Sequence, residues 1–269
     1  LRTWPSNRFH AAYVQQINAL SSAHGAEKPA TLLNFAELFL TQMMLFEADS
    51  VLQGTTPQNF AQEIRHKALR EAAGLLAGAP VESIEDSPLL ESTRADRAFW
   101  LSLHAIAVSD AEMLNNNLAD GFVGLTHQPK PVLRVVLPLF IEAAVALKQV
   151  ALASQAVSLI NELPELSMSP AGHLLRGRVA ELQGNDKTAL DSYFEASKGW
   201  DKAAARARLA LADMALRDKG QGALMAARDV LAHGADSWRG DNYELEILEQ
   251  LAAVHVKLGE AKFGLVAYG

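Results

Sequence analysis

The side chains able to do acid–base or metal chemistry in this 269-residue chain are scattered rather than paired. Histidine occurs as His10, His24, His66, His104, His127, His173, His233 and His255. No two of them stand at helix-face spacing beside a carboxylate, as a helical metal site requires. His173 and His255 read as core-edge residues of helices. Cysteine is absent, so disulfides, zinc–thiolate centres and cysteine nucleophiles are excluded. Gly220-Gln221-Gly222 lacks the preceding strand and the third glycine of a dinucleotide-binding loop. No nucleophile elbow occurs. The carboxylates Glu244, Glu246 and Glu249 read as a solvated helix face. Arg239-Gly240-Asp241 has the letters of an adhesion tripeptide, but local structure accounts for it better. Gly240 suits a left-handed or tight turn, Asp241 caps the next helix and Trp238 staples the turn. The expectation is a protein without catalytic residues, metal or cofactor.

The composition fits that expectation. Hydrophobic residues make up 49% of the chain, charged residues 20% and aromatics 7%. Alanine and leucine dominate, a composition that favours helices in a folded domain. A net charge of −7 opposes general binding to nucleic acid or anionic membranes. The most apolar stretch, Val135 to Ile160, is broken by Pro138, Glu142, Lys148 and Gln149, so two amphipathic helices are expected and no membrane insertion. The chain opens at Leu1 with neither methionine nor a signal-peptide pattern and stops just past a repeat tyrosine, Tyr268. It is therefore expected to be a fragment of a longer chain.

The elements are helices separated by turn residues. Ser6 caps a first helix through Phe9, Tyr13, Ile17 and Leu20, and Gly25 ends it. Leu32, Phe35, Ala36 and Phe39 form an apolar stripe, and a second helix holding Ala48, Val51 and Leu52 stops at Gly54. Ala61 to Ala77 is a helix ending at Gly78. The acid- and proline-rich segment after it predicts a short or irregular partner, with irregularity over 79–95. Asp96 to Val108 is helical, and Asp110 caps a helix to about Leu118. The Asn115-Asn116-Asn117 run and Asp120-Gly121 predict a break over 119–131. Val132–Leu147 and Ala151–Leu163 form the next pair. Lys202–Arg217 and Gly222–Ala232 form another, split by Asp218-Lys219-Gly220, and Tyr243–Leu258 begins the last.

The clearest unit spans 170–203, around His173 to Ser197. Gly177, Ala189 and Ala196 are small where two helices must touch, Tyr193 shares their face and Gly184 turns the chain. Looser copies recur every 34 to 38 residues. A lone hairpin cannot bury its apolar face, so about seven are expected to stack as one domain over 1–269. The five residues Gly177, Gly184, Ala189, Tyr193 and Ala196 resemble the tetratricopeptide repeat (TPR) family. His173, Arg176 and Ala180 depart from it, as does Asp201 in place of the terminal proline. Segments such as Leu175-Arg176-Gly177-Arg178 and Trp238-Arg239-Gly240-Asp241 further resemble large bacterial repeat proteins.

The resemblance implies an all-α, TPR-like α-solenoid of antiparallel hairpins in a right-handed superhelix, of bacterial and periplasmic origin, with the cytoplasm as the alternative. In resembling solenoids, the first helices line a concave groove that holds a protein or peptide. By register, the groove candidates are Asn34, Glu37, Glu142, Arg178, Glu181, Arg208, Glu246, Glu249 and Lys257. Their mixed charge suits a partner of mixed or basic charge. The expected function is a non-enzymatic interaction scaffold. The alternatives are a structural spacer that self-associates through an uncapped C-terminal end, and the helical accessory region of an enzyme whose catalytic domain lies elsewhere.

Overall fold

A computed structural model describes residues 9–25, 27–217 and 220–268, without the side chains of 267 and 268. The Ser6 cap, the Asp218-Lys219 turn and the Tyr268 ring lie outside the described residues. Among those described there are helices and turns and no strand. The helices are α1 (Phe9–Ser22), α2 (Glu27–Thr41), α3 (Leu45–Gln53), α4 (Phe60–Leu76), α5 (Arg97–Val108), α6 (Ala111–Thr126) and α7 (Lys130–Ala146). They continue with α8 (Val150–Ser158), α9 (Pro164–Ser167), α10 (Pro170–Leu182), α11 (Asp186–Ser197), α12 (Lys202–Arg217), α13 (Gln221–Ser237), α14 (Asn242–Lys257) and α15 (Ala261–Tyr268). Sequence neighbours pack as pairs: α2 on α3, α5 on α6, α10 on α11, α12 on α13 and α14 on α15. By packing, the chain falls into two compact units, Leu1–Leu147 and Lys148–Gly269.

The α10–α11 pair shows why small residues are needed. A Cβ on Gly177 would lie within 2.5 Å of the Tyr193 ring, so the glycine is what lets the ring lie flat on α10. Ala189 and Ala196 have no exposed surface, and Tyr193 is 1% exposed. Ser169 accepts from the Gly172 amide at 3.1 Å and Pro170 occupies the first turn, so α10 starts sharply. Such a cap is worth about 1 kcal/mol. Asp241 caps α14 through the Tyr243 amide at 2.9 Å, and its carboxylate also receives the Trp238 indole N–H at 2.8 Å. Gly240 before it is left-handed, φ +99°, as expected.

One backbone feature recurs along the hairpins. Met43, Gly78, Ser109, Lys148 and Gly184 all adopt positive φ, at intervals of 35, 31, 39 and 36 residues, and Gly259 does so again. At five of these turns the next residue's amide bonds back to the carbonyl five residues earlier, at 2.8 to 3.0 Å: Met44 to Phe39, Ala79 to Gly74, Asp110 to Ala105, Asn185 to Ala180 and Glu260 to His255. This is the Schellman closure, which satisfies carbonyls left free at a helix end. Three of the turn residues, Met43, Ser109 and Lys148, carry side chains despite a penalty of about 1–2 kcal/mol for that conformation.

Two irregular stretches were expected, and only one is present in that form. The segment after α4 contains two 3-10 turns, Ile84–Asp86 and Pro88–Leu90, in place of a full helix. Pro88 disfavours helical backbone at Ser87, which is extended at ψ 130°. The break expected over 119–131 shrinks to the short link between α6 and α7, because α6 runs unbroken to Thr126. Gly121 is not a turn residue. It lies buried against Ser102 of α5, where any Cβ would collide with the Ser102 hydroxyl and the Ala98 carbonyl. The glycine serves close helix approach rather than chain reversal. In the same unit Phe99 and Trp100 are fully buried, and Phe99 stacks on Phe140 of α7 at 6.1 Å.

Candidate functional site

In the second unit, three helices that each open a pair present one polar face to a common cleft of about 300 Å³. From α10 come Arg178 and Glu181, from α12 Arg206, Asp213 and Arg217, and from α14 Tyr243 and Glu246. Tyr193 reaches in from α11. The residues on α12 follow helical periodicity, since 206, 210, 213 and 217 fall on one face. Three cations and three anions line the cleft.

The charges are cross-linked between helices. Glu181 accepts the Tyr193 hydroxyl at 2.6 Å and pairs with Arg217 of α12. Burial pulls the Glu181 carboxyl upward, but the Tyr193 hydroxyl and the Arg217 guanidinium outweigh it and hold it below the usual carboxylate range. Asp213 behaves oppositely. Desolvation raises it, against the opposing hydrogen bond from Gln250 of α14 at 3.2 Å and the charge of Arg217. Lys202 and Arg206 stand over the Tyr243 ring, at 5.1 and 5.9 Å.

Of the nine groove candidates, Arg178, Glu181 and Glu246 meet in this cleft. Glu249 and Lys257 are exposed on α14 but do not line it. Two of the nine are not outward-facing. Arg208 is 2% exposed, and its guanidinium donates to the Ser197 and Gly199 carbonyls at 2.7 and 2.8 Å and to the Ser237 hydroxyl at 2.8 Å. It closes the C-terminal end of α11, where free carbonyls attract a cation. Burial pushes its pKa down against the charge of Asp201. Glu37 is 8% exposed and pairs with Arg65 of α4 at 2.7 Å, tying α2 to α4. Register places a residue on a helix face but does not reveal the partners that other elements bring to it, which is why both were expected in solvent. Asn34 and Glu142 are half-buried in the first unit, the former with its side-chain oxygen buried and unpaired.

Arg206, Asp213, Arg217 and Tyr243 line the cleft beyond the residues expected from register. The signal for the first three was the seven- and four-residue spacing on α12. Among the described residues, no group of three or more histidine or acidic side chains is placed to hold a metal ion. Nor is any described helix long and apolar enough to cross a membrane. His104 is buried, and its Nδ1 accepts the Val81 amide at 3.2 Å, a packing role.

The fold and the cleft define a class: an all-helical protein of successively packed helix pairs. No protein-family model matches the chain, and neither a curated protein nor a solved structure does.

Proposed function

We propose that this chain is a non-enzymatic, TPR-like α-solenoid that binds an extended segment of another protein along the inner faces of its first helices. The observation that carries the reading is the cleft lined by Arg178, Glu181, Arg206, Asp213 and Glu246 on three successive first helices. A surface of mixed charge recognises a peptide of complementary mixed charge and rejects uniformly charged ones. The recurring left-handed turns, every 31 to 39 residues, support the repeat reading. The test is peptide-display selection against the purified chain, repeated with Arg178→Glu and Glu246→Lys. The expected result is enrichment of mixed-charge sequences whose binding falls at least tenfold in either variant, with unchanged circular dichroism. Failure to enrich, or binding indifferent to both reversals, refutes the groove.

A second reading is self-association, favoured by α15, where Phe263, Leu265 and Val266 are 61%, 74% and 70% exposed. Sedimentation equilibrium with and without Leu265→Lys separates the two: a concentration-dependent dimer abolished by the substitution favours assembly.

A further inference from the structure

The irregular segment after α4 leaves a cavity of about 560 Å³, within the roughly 300–1,000 Å³ typical of small-molecule sites. His66, Arg70 and Gly74 run along one face of α4, and the segment Pro80–Ser83 lines the other side. Most polar groups here are already engaged. His66 Nε2 lies 2.9 Å from the Leu52 carbonyl. Lys67 donates to the Asp86 carbonyl at 2.9 Å and lies 3.7 Å from Glu71, which also accepts the Ser87 hydroxyl.

Two opposite charges remain. Neither Arg70 nor Glu82 has a hydrogen-bond or ion-pair partner among the described residues, and they do not pair with each other. Gly74 is equally unexplained by packing. A Cβ there would meet only the Ala79 carbonyl, at 3.9 Å, and the backbone is not left-handed. Glycine weakens a helix interior, yet neither a close neighbour nor a special conformation requires it here. Gly74 lines the cavity, and its missing side chain leaves that space open.

We propose that this cavity binds a small zwitterion, a free α-amino acid or a dipeptide. Its carboxylate pairs with Arg70 and its ammonium with Glu82, while Pro80 and Val81 offer apolar surface to its side chain. A plain anion would be opposed by Glu82 and a plain cation by Arg70, whereas a ligand carrying both charges satisfies each. The cavity lies in the first unit, so this proposal stands independently of the groove.

The experiment is isothermal titration of the full chain with the twenty free amino acids and a set of dipeptides, alongside their N-acetyl and C-amide derivatives. We expect saturable binding of at least one ligand, weakened at least tenfold by acetylation and by amidation. Arg70→Ala and Glu82→Gln, both exposed positions, each weaken it at least tenfold with unchanged helix content. Gly74→Leu abolishes it by filling that space. A dipeptide binding more tightly than its component amino acids, or the reverse, assigns the size of the natural ligand. No saturable binding anywhere in the panel, or binding untouched by both charge substitutions, overturns the proposal. Equal binding of the acetylated ligand overturns it too, since that identifies a simple anion site.

Discussion

Two regions share a backbone framework and fill it differently. Seven residues before and nine after its left-handed turn glycine, the α10–α11 pair has Gly177 and Tyr193. The same positions around Gly78 hold Glu71 and Ser87. In the first case a flat ring lies on bare backbone and two full helices pack along their length. In the second a hydroxyl bonds a carboxylate and the partner helix is reduced to two 3-10 turns. Both keep the same Schellman closure. Turn geometry therefore survives the loss of the small-and-aromatic contact, whereas a continuous second helix does not accompany its loss. The irregular hairpin carries the larger cavity, the regular one a cross-linked polar face.

The comparison is broken most severely by Tyr193→Ala, which empties a site 1% exposed and removes the hydroxyl from Glu181. The expected loss is about 3–5 kcal/mol, measured by urea denaturation. A loss below about 1 kcal/mol would mean the aromatic contact does not hold the pair together. Arg208→Leu comes next. It leaves the Ser197 and Gly199 carbonyls unpaired in a buried setting, at about 1–3 kcal/mol. Arg176, also six residues into its helix, reaches the Ser167 carbonyl at 2.8 Å and is only half-buried, so Arg176→Leu should cost less. An equal loss at both would show that burial is not what separates them. In the irregular hairpin, Ser87→Ala removes the hydroxyl's bond to Glu71 and the cap it gives the Leu89 amide, for about 1–2 kcal/mol. Thermal melts that place it level with Tyr193→Ala would erase the contrast between the two hairpins.

The smallest effect is pH-dependent. The Glu181 carboxyl is depressed in the folded state, so its contribution is present above the ordinary carboxylate pKa of about 4.3 and is lost as pH falls through its lowered value. Asp213 is raised, so it opposes folding once ionised and ceases to do so as pH falls through its own pKa. Glu181→Gln should flatten the acid limb of a stability-versus-pH curve, and Asp213→Asn should raise stability slightly at neutral pH. Identical curves for wild type and both variants would show that the ion pairs of the cleft do not contribute to stability.

How much of this was legible depends on whether a residue's type matched its task. Gly177, Gly184, Ala189 and Tyr193 disclosed their hairpin because small, flexible and aromatic residues each stood where the geometry wanted them. Asp110 and Asp241 disclosed helix starts for the same reason. Met43, Ser109 and Lys148 hid the turns they make, because nothing in their chemistry favours a left-handed backbone. Asp120-Gly121 misled in the opposite sense, its glycine being spent on helix approach. At the cleft, α10 and α14 gave up Arg178, Glu181 and Glu246 by register alone. Arg208 and Glu37 did not: Arg208 bonds carbonyls 9 and 11 residues away and a hydroxyl 29 residues away, Glu37 pairs with an arginine 28 residues away, and no local pattern encodes such pairings.

The order of packing has a kinetic consequence. Within each unit, the extensive contacts among the described residues join helices no more than two places apart, and five of the hairpin turns close through their own backbone. Little loop-closure entropy has to be overcome before native contacts begin to form. The chain should collapse hairpin by hairpin on a fast timescale. When it loosens, it should do so in the same modest segments, fraying one pair of helices while its neighbours stay shut.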